Sequence, residues 1–296
     1  MPTVDVPNRL SLSDKRKLLE RLEYIGLSNF THYMNQRLLN VLDNKHLRHR
    51  EFLSRYLLLV AALDQQADSD SARKTVVSLY LRYGADLFLN PHQYVGNLYE
   101  VVELAASLYR PRTRVLRLKN NAALLLRIGG FLLALVNITE RYGGLLNYLS
   151  LATSPRGLLD LILKDLLLSG LLYEKAARMY VGWVSHPKLW INISNGKWKP
   201  SEVPMAVNGH VCKVLARTGF LSSAMVEDVK TYIVEAENER KNIEKEIDLA
   251  YPEGDRLFID FGAFYIGITY CYETNPRCSQ CPISHLCKKN IVFRAY

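Results

Sequence analysis

The sequence predicts an all-α protein. Apolar residues recur at the 3.6-residue period of a helix along most of the 296 positions, and only one interval departs from that period. A composition 49% apolar and 23% charged supplies a sizeable core and excludes a disordered or collagen-like chain. The first helix carries Leu18, Leu19, Leu22 and Ile25 on one face, with Ser13 placed as its cap and Gly26 as its stop. Further helices are expected over about 51–63, 72–83, 94–109, 121–142, 156–168, 174–184, 210–218, 226–247 and 257–270. The run 227–248 is charge-rich but keeps Ile233, Ile243 and Ile247, as a solvated amphipathic helix does.

The departure lies between His186 and Val203. Trp190, Ile191 and Ile193 precede Asn195-Gly196, and Lys197, Trp198 and Lys199 follow, so a small β-hairpin insertion is expected there. The most apolar stretches, 122–138 and 158–172, are interrupted by Arg127, Lys164 and Asp165 and fall short of a clean bilayer span. They read as core helices. The polar N-terminus followed by Ser13-Asp14-Lys15-Arg16-Lys17 does not have the form of a secretory leader, so an intracellular protein without a membrane partner is expected.

Thirty-eight basic against 29 acidic residues leave a net charge of +9, which suits a polyanionic partner, nucleic acid first. Of the five cysteines, Cys271, Cys278, Cys281 and Cys287 form a C-x6-C-x2-C-x5-C run, and Cys212 stands apart. Crowded thiols in a reducing compartment call for a shared metal centre. Zinc sites usually pair two short knuckles, and here there is one; a four-iron cube spreads its ligands more widely, so the spacing suits a 4Fe-4S cluster better.

That cysteine run, near the C-terminus of a helical chain, resembles the endonuclease III and adenine-glycosylase branch of the helix-hairpin-helix DNA glycosylases. The resemblance implies a structural 4Fe-4S cluster and places Arg277, Lys288 and Lys289 near DNA phosphates. Leu63-Asp64-Gln65-Gln66-Ala67-Asp68 resembles the family's L-S-x-Q-x-T/D segment. On that match Gln66 fills the space left by an extruded nucleotide, while Asp68 or Ser69 caps the next helix. Residues 168–177 stand where the family has its hairpin L-P-G-V-G-x-K-x-A, with Gly170 at the phosphate-gripping turn. The proline and second glycine are missing and one residue is added. Aligned on the following helix, Lys175 takes the nucleophilic lysine's place; aligned on the turn, Glu174 does, and the small residues Ala176 and Ala177 favour Lys175.

Val207-Asn208-Gly209-His210, with Lys213, Arg217 and Gly219, resembles V-D-T-H-x-x-R-x-x-x-R-x-G, and Lys213 and Arg217 are placed among the DNA contacts. Asn208 replaces the family's catalytic aspartate. It keeps the shape and the helix cap but lacks the charge that supports a cationic sugar, so three accounts compete: lost activity, an engineered inactivation, or a substitute carboxylate such as Asp260 or Glu202. Lys175 precedes Asn208 by 33 positions, more than the family's spacing, and the excess carries Trp190 and Trp198 among Lys188, Lys197 and Lys199. Such interleaving suits base stacking beside phosphate, or a core tryptophan with a solvated rim.

The resemblance thus implies two lobes. Residues 48–203 would form a helical barrel with the hairpin motif, and 1–47 with 204–296 a cluster lobe, with double-stranded DNA in the cleft of a monomeric protein. The expected activity is excision of a damaged or mispaired base, with strand incision at the abasic site through Lys175. A catalytically impaired DNA-binding homologue and a glycosidase for another modified nucleoside are the alternatives. Cys212 is expected to be a buried small hydrophobe behind Asn208.

Overall fold

In a computed structural model of the chain, the described residues are 9–65, 68–110, 120–166, 168, 170–221, 236–272 and 274–289, with the backbone alone at 120–121 and 236–239. Fourteen α-helices and no β-strand occur among them. The all-α expectation holds. The chain divides into two compact units, Tyr33–Pro204 and the discontinuous pair Met1–His32 with Met205–Tyr296.

The continuous unit is built around α3 (Arg50–Leu63), in which every residue from Phe52 to Leu63 is buried. A helix apolar on all sides must be wrapped by others. Around it stand α2 (Asn44–Arg48), α4 (Ser69–Tyr83), α5 (Asp86–Leu89), α6 (His92–Val95), α7 (Leu98–Leu108), α8 (Asn120–Tyr142), α9 (Leu145–Leu149), α10 (Pro155–Lys164) and α11 (Glu174–Ser185). Phe52, Tyr56, Tyr80 and Phe88 interlock their rings beside α3. Polar groups enter this core too, Arg55 among them: it donates to Glu51 Oε1 (2.6 Å), the Phe88 carbonyl (2.9 Å) and Thr139 Oγ1 (2.9 Å). Glu51 in turn accepts the Leu145 and Leu146 amides, so the buried ion pair is hydrogen-bonded on both sides, as burial of charge requires.

By length and composition α8 passes for a membrane span over Ala122–Tyr142. Its face of Leu124, Ile128, Phe131, Leu135 and Ile138 is buried, and the helix packs on α3, α6, α7 and α9, as a core helix does. Asp68 caps α4, its carboxylate accepting the Ser71 amide at 3.1 Å, so of the two residues expected to cap that helix the aspartate does so.

The expected β-hairpin at 186–203 is replaced by consecutive turns. Asn192 and Asn195 take positive φ (42° and 51°), and the amides that a hairpin would pair across strands are satisfied locally. Gly196 N donates to Asn192 Oδ1 (2.8 Å), Trp198 N to Ser194 Oγ (3.2 Å) and Ile193 N back to the Val184 carbonyl (2.9 Å). Asn and Ser side chains here compete with strand pairing and win.

The discontinuous unit packs α1 (Leu12–Met34) with α12 (Gly209–Thr218), α13 (Ala236–Ala250) and α14 (Arg256–Thr269). Its core holds Leu18, Leu19, Leu22 and Ile25 with Val211, Leu215, Ile243, Ile247, Ile259 and Ile266. Gly26 does not stop α1, which continues eight residues beyond it. A β-carbon on Gly26 would stand 1.9 Å from the Phe258 carbonyl oxygen, and one on Gly262 2.0 Å from that of Leu22. The glycine is there because two helix backbones touch.

Candidate functional site

Lys175 is the second residue of α11, and its side chain is 35% exposed. Its Nζ lies 4.0 Å from Oδ2 of Asp64, whose side chain is only 7% exposed. The other oxygen, Asp64 Oδ1, is buried with no hydrogen-bond donor among the described residues. Neighbouring Glu174 is engaged along its own helix, accepting from Arg178 Nε at 2.9 Å. Of the two lysine-position candidates, Lys175 alone is an amine, and it is open to solvent.

The end of α3 holds this arrangement in place. Asp64 terminates the helix, and the carbonyls left without helical partners find donors nearby. Tyr109 Oη donates to the Leu63 carbonyl at 3.0 Å, and Arg127 Nη1 to that of Ala62. Burial raises the Tyr109 phenol, Arg127 opposing and Asp64 assisting, so it remains a neutral donor. Gln65 ties α3 to the turn before α11: Nε2 donates to the Ala62 (3.0 Å) and Leu171 (2.7 Å) carbonyls, and Oε1 accepts the Tyr173 amide at 2.6 Å. Leu171 and Leu172 amides close on the Leu168 carbonyl, forming the turn between α10 and α11. Gly170 is exposed there, and a β-carbon on it meets nothing within 4 Å. Gln66 lies outside the described residues.

Asp64 and Gln65 were missed by sequence reasoning, which weighed Gln66 instead. The available signal was an acidic and an amide residue directly after twelve core positions, where solvation is lost.

In the discontinuous unit Asn208 caps α12, its Oδ1 accepting the His210 (2.9 Å) and Val211 (3.1 Å) amides. The cap expected of it is present. Asp260, 9% exposed, accepts the Val207 amide at 2.9 Å and so braces the residue before Asn208. Glu202, in the continuous unit, is exposed and closes a turn with Lys199. Cys212 is buried in the core of α12 as expected. Lys213 is buried, its Nζ 3.5 Å from His210 Nδ1. Arg217 is buried too, donating to the Tyr272 carbonyl (2.6 Å) and to Cys271 Sγ (3.3 Å). Its guanidinium supports the cysteine loop, so the phosphate contact expected of it does not match its position. Among the basic residues of that loop, Arg277 lies over the Tyr272 ring, and Arg277, Lys288 and Lys289 are all exposed. Trp190 and Trp198 are half-buried beside exposed Lys188, Lys197 and Lys199, while Trp183 is core.

Cys271, Cys278, Cys281 and Cys287 are half-buried free thiols, and Cys271 and Cys281 pack against the core that contains buried Ile283. Burial, then the other three cysteines, pushes the Cys281 thiol up to about 11, and burial raises Cys287 likewise. Among the described residues no three His, Cys, Asp or Glu side chains converge closely enough for a single metal ion. A cube bound at four corners asks for wider separation, and the Arg217 hydrogen bond to Cys271 is of the kind that stabilises a ligating sulfur. Four cysteine thiols are the donor type that a 4Fe-4S cluster would take.

A scan against protein-family models finds no match, and no curated protein matches the sequence. Among solved structures, the chain is similar to a trapped endonuclease III–DNA covalent intermediate in an estranged-adenine complex, with a TM-score of 0.53 and 18% identity, over 95% of this chain and 97% of that one. The chain therefore has the endonuclease III fold.

Proposed function

We propose that this protein is an intracellular DNA base-excision glycosylase that extrudes a damaged or mispaired base and cleaves its glycosidic bond, with strand incision through Lys175. The observation that carries the reading is a half-exposed amine at the start of α11, after a tight turn, in a fold whose neighbour was trapped covalently on DNA. An amine nucleophile at C1′ forms a Schiff base that opens the sugar. Double-stranded DNA would be gripped by Arg277, Lys288 and Lys289, with Trp190 and Trp198 as stacking platforms. Gly170 leaves room for a phosphate at the α11 turn. Cys271, Cys278, Cys281 and Cys287 would hold a 4Fe-4S cluster, which supplies a rigid cross-link for the loop.

Borohydride trapping on abasic and lesion-bearing duplexes tests this. A covalent adduct lost in Lys175→Ala is expected; no adduct and no cleavage across a broad lesion panel sinks the reading. Asn208 favours a second one, a DNA-binding homologue that has lost turnover. Salt-dependent duplex binding without cleavage, unchanged in Lys175→Ala, would select it.

A further inference from the structure

We propose that Asp64 is the carboxylate that serves Lys175, taking over the proton-accepting work that Asn208 lacks the charge to do. The inference rests on the lyase reading above and adds a residue to it. Two observations point to Asp64. Its Oδ2 stands 4.0 Å from Lys175 Nζ, and its buried Oδ1 has no donor among the described residues. A carboxylate oxygen is rarely left unsatisfied in a protein interior without a use for it. Neither substitute suggested by the sequence matches this position: Asp260 is bonded to the Val207 amide, and Glu202 is an exposed turn residue.

The burial is asymmetric in a useful way. The amine is accessible to a substrate, while the carboxylate beside it is only 7% exposed and so largely shielded from water. Tyr109, Arg127 and Gln65 secure the end of α3, so Asp64 is held on a rigid element.

The proton and electron count closes. Lys175 starts as an ammonium and gives one proton to Asp64 Oδ2. The freed nitrogen pair forms the bond to C1′, and the glycosidic pair leaves with the base, which receives the proton from Asp64. The resulting secondary ammonium gives its next proton to the same carboxylate, which passes it to O4′ as the sugar ring opens to the iminium. Lysine has then lost two protons, the base and O4′ have gained one each, and the single positive charge is kept.

The test uses the full-length protein in single-turnover cleavage and borohydride trapping on an abasic duplex. Asp64→Asn keeps the shape and removes the acceptor; a fall of about 10²- to 10⁴-fold in the trapping rate is expected, with affinity for a duplex carrying an uncleavable abasic analogue unchanged. Asp64→Ala opens space for formate, and added formate restores the rate in proportion to its concentration, a response that a merely structural role does not produce. Asp64→Asn trapping at the wild-type rate overturns the proposal. So does a folded, duplex-binding Asp64→Ala protein that formate fails to restore. If Asp64→Asn does not fold, Asp64→Ala with and without formate decides alone. Failure of the wild type to form any adduct is a different result and overturns the lyase reading itself.

Discussion

The Val207 amide donates to Asp260 Oδ1 at 2.9 Å, and this bond holds a β-branched residue at a φ of +43°, immediately before Asn208. Valine is strained in that region by roughly 1–3 kcal/mol, and strain of this kind persists only where surrounding contacts over-determine it. Asp260→Ala leaves the buried amide without this acceptor. A loss of about 1–3 kcal/mol in urea unfolding is expected; an unchanged midpoint would show that the backbone needs no brace there.

Asn208→Asp should keep the helix cap, since aspartate and asparagine cap equally well, while restoring a charge. A unit charge near 4 Å at an effective dielectric of 20 is worth roughly 4 kcal/mol, close to three orders of magnitude in rate. Under the proposed function, glycosylase single-turnover rates should therefore rise in this variant with melting temperature nearly constant. A flat rate would show that a charge at position 208 takes no part in the reaction.

Gly26→Ala and Gly262→Ala each place a methyl group within about 2 Å of a carbonyl oxygen of the facing helix. Helix backbones cannot yield as flexible side-chain ends do, so a destabilisation of about 1–3 kcal/mol or more is expected, against near-neutrality for Gly170→Ala. Equal denaturation midpoints for all three would contradict the close crossing.

Much of this was legible in the chain. The helices at Gly209–Thr218, Glu174–Ser185 and Arg256–Thr269 lie within about one residue of their periodicity, because an apolar stripe and a local cap act within a few positions. Gly26 was misread because a stop and a backbone contact place the same residue in the sequence; only the facing Gly262 distinguishes them. The Asn195-Gly196 turn occurs without the hairpin, since Asn192 and Ser194 capture the amides first. Asp64 and Lys175 are far apart in sequence and meet only through tertiary packing, which no local pattern encodes.

Alkaline pH should weaken the continuous unit. Burial pushes the phenols of Tyr56 and Tyr180 up, and each donates to a carbonyl, Leu38 at 3.0 Å and Ser54 at 3.2 Å. Above pH 10 the unfolded chain loses these protons while the folded one keeps them, so stability falls as pH rises, by about 1.4 kcal/mol per pH unit for each phenol. Melting followed by circular dichroism between pH 8 and 11.5 reads this directly, and a melting temperature that does not decline above pH 10 would refute it.

Under the proposed function, protein purified without oxygen is brown and carries about four iron and four sulfide per chain. Cys281→Ser should lose the colour and lower the melting temperature. Colourless wild-type protein with one zinc per chain would reassign the centre.

Chain order also imposes an order of assembly. The unit Tyr33–Pro204 is contiguous and can complete its core as soon as it is synthesised, whereas α1 must wait for residues beyond Met205 before Leu18, Leu19 and Leu22 find Leu215, Ile243 and Ile259. Until then α1 offers a bare apolar stripe to the ribosome surface and to chaperones. Substitutions on that stripe should therefore reduce the yield of mature protein more than the equilibrium stability of what does mature.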